Sequence, residues 1–204
     1  VENAVQGMDI VVHLAGYPDS TGEWDQVLPS NIEGTINIFD ASIKAGVKRV
    51  VYASSIMVLF GYFNDQPYHD IFAERFDQLP STWPIVDHRS PTRPVCRYSS
   101  SKLFGEAYAK SLTLHGNTSI LCIRIGHVMD DDVFPNRMMQ SIWSSGRDIA
   151  QIFYLAMEAP LELKYDIFHG LSNSSYNWVD IKHAAEQLGY HPQDNDDDIV
   201  IMEA

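Results

Sequence analysis

"MDIVVHLAG", from Met8 to Gly16, is the stretch whose reading decides the fold. It is short, largely apolar and ends at a glycine, the pattern of a strand buried on both faces of a parallel sheet. After it, Ile32, Ile36, Phe39 and Ile43 recur at helical spacing, and Ala45-Gly46 forms a stop signal. "RVVYASS" (Arg49 to Ser55) is a second buried-type strand, rich in β-branched and aromatic residues. A helix is expected from Arg97 to Gly116, with Leu103, Ala107 and Leu112 on its apolar side, followed by a third strand at "SILCIRIG" (Ser119 to Gly126). Strand, helix, strand, helix, strand is the rhythm of a doubly wound α/β fold.

The rest of the chain carries weaker signals. Asp148 to Met157 and Trp178 to Leu188 are helix-like, "YDIFHGLS" is strand-like, and "QDNDDD" is expected as an exposed tail or loop. The segment from Gly61 to Pro94 has prolines at 67, 80, 84, 91 and 94. It is too long for a simple loop, so short local structure or a flap over a site is expected.

Composition narrows the function. At 204 residues, with 45% hydrophobic and 20% charged residues, the chain is an ordinary globular protein of one domain with at most a small appendage. A net charge of -13 argues against nucleic acid or an anionic membrane surface as partner. No apolar run approaches the 18 residues of a membrane span, and no secretory signal opens the sequence. Two acidic clusters, Asp130 to Asp132 and Asp194 to Asp198, lack a spaced second ligand set and read as solvated loops rather than metal sites. The two cysteines, Cys96 and Cys122, show no metal or redox spacing, and a reduced, cytoplasmic protein is expected.

Candidate site residues fall where a doubly wound fold binds ligands, at the carboxyl ends of strands. Gly16 follows the first strand, Ser54-Ser55 end the second, and Gly126-His127 follow the third. Between the last two, "YSSSK" (Tyr98 to Lys102) opens a helix with Tyr and Lys four apart, one turn apart on one face. Lowering a phenol from a pKa near 10 to about 7 takes roughly 4 kcal/mol. An ammonium about 4 Å away supplies around 4 kcal/mol at an effective dielectric near 20, unless burial of the phenolate cancels it. His13, inside an apolar strand, reads as a packed core histidine.

With these elements in order, the sequence resembles the short-chain dehydrogenase/reductase superfamily, in its extended, sugar-modifying epimerase/dehydratase branch. The matching pieces are "DIVVHLAG", "NIEGTINIFDA" (Asn31 to Ala41), "VKRVVYASS", "YSSSK" and "IRIG" (Ile123 to Gly126). The compact C-terminal part is similar to the uronate dehydrogenase group, with Arg137 at the position of an arginine that grips the sugar carboxylate. The resemblance implies a Rossmann-type fold lacking its first βαβαβ portion. Residues 1–130 would form a partial NAD(P)-binding domain with the catalytic helix and a 61–94 insert. Residues 131–204 would form a small substrate-binding region interleaved with the last sheet elements.

The implied chemistry is transfer of a hydride between NAD and a sugar or sugar-acid hydroxyl. Ser55 would hold the substrate oxygen, Tyr98 would act as base, and Lys102 would bind the nicotinamide ribose. Leu14, Ala15, Gly16, Asn31, Tyr98, Lys102 and Ile125 are implied around the cofactor, and Ser55, His127 and Arg137 around the substrate. Ser54 stays open as the alternative to Ser55, and Asn31 as a simple helix cap. His127 stands where the uronate dehydrogenases carry a small hydroxyl residue, Pro18 replaces another, and the insert is longer than theirs.

No G-x-x-G-x-x-G or G-x-G-x-x-G phosphate loop occurs among the 12 glycines. The resemblance therefore implies an N-terminally truncated chain, short by about 50 to 60 residues, with NAD versus NADP decided upstream of Val1. A tightly held NAD in an epimerase or dehydratase, and a non-catalytic relative, are the alternative readings. A homodimer through the helices after the second and third strands follows by analogy.

Overall fold

The computed structural model describes residues 1–114, 116–129, 133–196 and 200–201. A first turn of helix, α1 (Glu2–Val5), leads into β1 (Ile10–His13). The next helical stretch starts as α2 (Trp24–Val27), passes through a π-helical segment (Leu28–Glu33) and continues as α3 (Gly34–Lys44). Gly46, with φ of +75°, closes it in the left-handed region that glycine adopts without strain. β2 (Arg49–Ser55) follows with the bounds expected from sequence, and all seven residues are buried.

The segment after β2 is locally structured rather than a plain loop. A 3-10 helix (Ile56–Asn64), α4 (Tyr68–Phe72) and another 3-10 turn (Phe76–Gln78) precede α5 (Arg97–Thr113). β3 (Ser119–Ile125), β4 (Val133–Phe134), a 3-10 helix (Arg137–Ile142), α6 (Gly146–Glu158), β5 (Tyr165–Gly170), α7 (Lys182–Leu188) and β6 (Val200–Ile201) complete the described chain.

β1, β2, β3 and β5 form a parallel sheet in that order, while β4 and β6 pair separately. The register sets Ser55 beside Ile125 and Ile125 beside Gly170, so the three strands end at one level. Alternation along β2 sends Val50 and Tyr52 to one face, against Phe39 of α3 and Ala109 of α5. Val51 and Ala53 face the other side, against Ile152, Phe153 and Ala156 of α6 and Ala184 of α7. Each fully buried aliphatic or aromatic side chain in these layers contributes about 1.5–3 kcal/mol. A third cluster packs the segment after β2 on Trp178, Val179 and Ile142, so this insert is anchored to the last third of the chain.

Several expectations are corrected. In this chain β1 is not buried on both faces: among the described strands it pairs only with β2, and Val12 is 38% exposed while His13 is 3% exposed. Trp178 to Ile181 are not helical, because Val179 bridges to Val86 and Trp178 and Asp180 hydrogen-bond to Val86 before α7 begins. "QDNDDD" is not an exposed tail where it is described: Asp194 pairs with Arg147, and Asp196, 8% exposed, accepts from Ser174 and Ser175. Asp130 to Asp132, Asp197 and Asp198 lie outside the described residues.

Arg49 is fully buried at the start of β2 with no carboxylate bonded to it among the described residues. Its guanidinium donates to the carbonyls of Ala156, Met157, Ala159 and Pro160, where α6 ends, and to Ser119 Oγ. A cation at a helix C-terminus satisfies the carbonyls that have no intrahelical donor.

Candidate active site

α5 exposes the logic of the site. Tyr98, Lys102, Gly105, Glu106 and Ala109 are buried, whereas Ala107 is exposed and Leu103 and Leu112 are half-buried. The face turned to the sheet is therefore the polar one that carries Tyr98 and Lys102, and the Leu103, Ala107, Leu112 side is less buried. Cys96 caps this helix, its Sγ accepting from Ser99 N–H at 3.4 Å, and so fixes the turn that carries Tyr98. Gly105 lets α5 approach the sheet, since a Cβ there would stand 2.4 Å from Tyr52 Oη.

Lys102 is 5% exposed and donates from Nζ to the Ala53 carbonyl at 2.8 Å. Among the described residues that is one bond for three N–H donors, so the ammonium has capacity for a ligand. A Cβ at Gly16 would lie 3.3 Å from this Nζ and 3.2 Å from Asn31 Oδ1, so the glycine leaves a small space above the lysine. Leu14 and Ala15, just before it, are exposed.

Asn31 does not cap a helix. It lies in the π-helical segment, whose extra residue per turn re-aims the side chain. Its Oδ1 accepts from Tyr17 N–H at 2.6 Å, and its Nδ2 donates to Tyr17 O at 3.0 Å and to Ser101 Oγ at 2.9 Å. Ser101 Oγ in turn donates to Tyr98 O at 2.7 Å. One buried amide thus ties the turn after β1 to the helix that carries Tyr98 and Lys102.

Ser54 and Ser55 separate cleanly. Ser54 Oγ donates to Glu106 Oε1 at 2.6 Å inside the protein, whereas Ser55 Oγ accepts from Met57 N–H at 3.2 Å and interacts with the Tyr98 hydroxyl. Glu106 also receives both Nε and Nη2 of Arg124 at 2.8 Å, and both side chains are 2% exposed. Sequence reasoning missed this buried pair. The signal was present: Glu106 is four residues beyond Lys102 and eight beyond Tyr98, on the same helix face.

The electrostatics differ from the simple pair expected. Burial raises the Tyr98 phenol above its ordinary value, and the hydrogen bond with Ser55 only partly opposes this. Burial lowers the Lys102 ammonium to about 8. The reason is geometric, since Nζ lies 5.8 Å from the centre of the Tyr98 ring and is turned toward Ala53. Desolvation therefore outweighs charge attraction in the chain by itself. His13 is the core histidine expected: it bonds Thr35 at 3.0 Å, and burial holds it at about 4, hence neutral.

Ile125 ends β3 beside Ser55, and Gly126 follows because a Cβ there would meet Ile142 O at 2.2 Å and Ser144 Oγ at 2.5 Å. His127 is exposed at this end of the sheet, its backbone paired with Trp143 and its Nε2 3.0 Å from Met129 Sδ. Arg137 stands apart: its guanidinium lies 4.5 Å from the Phe76 ring and 5.5 Å from Tyr176, donating to Tyr176 Oη at 2.6 Å. Among the described residues, none of its hydrogen bonds reaches Ser55, Tyr98 or Lys102. The two aromatic partners were not foreseen from sequence.

The 3-beta hydroxysteroid dehydrogenase/isomerase family matches residues 1–83. NAD-dependent glucose-6-phosphate dehydrogenase of Haloferax volcanii is 32% identical over 197 residues, 96% of this chain and 72% of that protein. L-arabinose 1-dehydrogenase (NAD(P)(+)) of the same organism is 31% identical over 206 residues, covering 97% and 79%. A variant of uronate dehydrogenase from Agrobacterium tumefaciens, solved in complex with NAD, superposes with a TM-score of 0.76 at 26% identity, covering 97% of this chain and 67% of that one. The chain belongs to the extended short-chain dehydrogenase/reductase family, with its NAD-dependent epimerase/dehydratase fold. It is shorter than these relatives, and it spans 62% of the uronate dehydrogenase of Pseudomonas syringae.

Proposed function

We propose that this chain carries the catalytic portion of an NAD(P)-dependent dehydrogenase that oxidises a hydroxyl of a sugar or sugar acid. The observation that carries the reading is the meeting of Ser55, Tyr98 and a buried Lys102 with unused donors beside Gly16, held by Asn31. The space over Gly16 and the free N–H groups of Lys102 suit the hydroxyls of a nicotinamide ribose. NAD, when bound, supplies the two-electron acceptor for the substrate C–H bond.

In this reading Ser55 Oγ holds the substrate oxygen and Tyr98 Oη takes its proton. Lys102 acts as a fixed cation whose nearness to the phenolate improves when a ligand draws it from Ala53. Asn31 keeps the Gly16–Tyr17 turn at the distance this needs, while Leu14, Ala15 and Ile125 border the cofactor. Residues 131–204 form the substrate region, with His127 at its rim and Arg137, stacked on Phe76 and Tyr176, as the anion clamp for a carboxylate or phosphate. The insert at 61–94 then forms one wall, because Phe76 belongs to it. Two free cysteines accord with a reduced, cytoplasmic setting, and among the described residues no helix is long and apolar enough to cross a membrane.

The test is NADH formation by the full-length gene product on glucuronate, galacturonate, L-arabinose and glucose 6-phosphate, with NAD and then NADP. Tyr98→Phe should lower turnover by about 100- to 10,000-fold with the fold retained. Sugar interconversion without net NADH would favour an epimerase, and unchanged turnover in Tyr98→Phe would remove the catalytic assignment.

A further inference from the structure

The end of the sheet opposite the candidate active site carries a second group of ligating side chains. Asp166 lies four residues before Gly170 on β5, about 13 Å toward the amino end at about 3.3 Å per residue. One carboxylate oxygen of Asp166 and one ring nitrogen each of His88 and His183 all lie within 4.8 Å of one another. The three residues come from three separate elements: the chain before α5, β5, and α7.

Each is held in place by its neighbours. Val86 pairs with Trp178 and Asp180, bringing the His88 segment against the start of α7. Asp87 Oδ1 accepts from Arg89 N–H at 3.0 Å and Ser90 N–H at 2.7 Å, which fixes the turn at His88. His183 is stacked between His88, at 3.6 Å, and Phe168, at 5.2 Å. Asp166 Oδ1 accepts from Ile167 N–H at 2.8 Å, leaving Oδ2 2.9 Å from His183 Nε2.

One atom in this group is orphaned. Among the described residues, His88 Nδ1 is buried with no hydrogen-bond partner, while its Nε2 accepts from Arg89 Nε at 3.2 Å. A buried ring nitrogen without a partner costs free energy that a cation would recover.

We propose that His88, Asp166 and His183 form a binding site for a d-block divalent cation of the zinc class. Bonds of about 2.0–2.1 Å in a tetrahedral site set ligand atoms about 3.3 Å apart, so the observed spread closes by about 1.5 Å or less, and His88, stacked face to face on His183, turns so that both ring planes meet at the cation. Two nitrogens and one oxygen suit Zn²⁺, Co²⁺ or Ni²⁺, whereas Ca²⁺ and Mg²⁺ require more oxygens. Arg89 and Lys110 line the same hollow and oppose a cation electrostatically, so the affinity has to come from the coordinate bonds themselves. On binding, the His88 proton moves to Nε2 and the exposed Arg89 side chain turns to solvent. The cation pins the insert, β5 and α7 together at a distance from the chemistry, with water in the fourth position.

Cobalt is the direct probe. Chelator-dialysed protein titrated with Co²⁺ should develop the visible bands of a tetrahedral N/O site at one equivalent, and Zn²⁺ should displace them and raise the melting temperature. His88→Gln and His183→Gln should each weaken Co²⁺ binding by at least about 100-fold and abolish the Zn²⁺-dependent stabilisation. Absence of any cobalt bands or Zn²⁺ stabilisation at millimolar metal in the wild type overturns the proposal, whatever the variants do. Undiminished binding in the folded double variant overturns it equally.

Discussion

Replacing Lys102 by Met should stabilise the protein while abolishing its chemistry. The buried ammonium titrates at about 8 instead of 10.5 because desolvation disfavours its charge. At about 1.36 kcal/mol per pH unit, the charged lysine costs roughly 3 kcal/mol at neutral pH. Loss of the bond from Nζ to Ala53 O returns about 1 kcal/mol, leaving a net gain of about 2 kcal/mol for a side chain of similar length. The sign with pH follows from proton counts. Between about 8 and 10.5 the unfolded lysine keeps a proton that the buried one has released, so wild-type stability rises with pH across that window. The advantage of Lys102→Met is therefore complete below about pH 8 and close to zero by about pH 9.5. Urea denaturation of both proteins at neutral pH and near the upper end of the window, followed by circular dichroism, measures it. A variant less stable than wild type at neutral pH, or an advantage equal at the two pH values, would refute the reasoning.

Two more outcomes concern the polar face of α5 and Asn31, which bonds to it through Ser101. Glu106→Ala should cost about 3–5 kcal/mol in a denaturation curve, because Arg124 is left buried and charged, whereas Glu106→Leu with Arg124→Met should recover most of that loss. Asn31→Ala removes three hydrogen bonds. It should raise the NAD KM about tenfold, equivalent to about 1.4 kcal/mol, with a smaller effect on kcat in steady-state assays. An NAD KM unchanged in a folded Asn31→Ala protein would detach the Gly16–Tyr17 turn from cofactor binding.

The sheet was the legible part. β2 is fully buried and β-branched, so its periodicity and its bounds coincide with the structure. β1 was read as buried on both faces, and among the described strands it pairs with β2 alone, which three apolar residues and a histidine do not reveal. The depth of burial of the polar face of α5 was not legible for a physical reason: hydrophobic periodicity finds faces buried by water exclusion, and this face is buried around a lysine and an ion pair. Choosing between Ser54 and Ser55 needed the partner, since alternation separates neighbours without saying which faces the cleft. The π-helical turn under Asn31 has no sequence mark beyond Pro29, so the residue's aim was visible only in three dimensions. Arg137 was reached by resemblance alone, and its aromatic supports come from segments about 40 and 60 residues away.

Arg49 has a consequence for how the chain folds. Its guanidinium finds its carbonyl partners only when residues 156–160, more than 100 positions later, dock at the end of α6. Until that docking the guanidinium stays open to water, and burying it requires the four carbonyls to arrive with the surface that covers it. An α6 seated out of place would leave a buried charge without its acceptors, at a cost of several kcal/mol. A side chain at the start of β2 thereby selects the one seating of α6 that satisfies it.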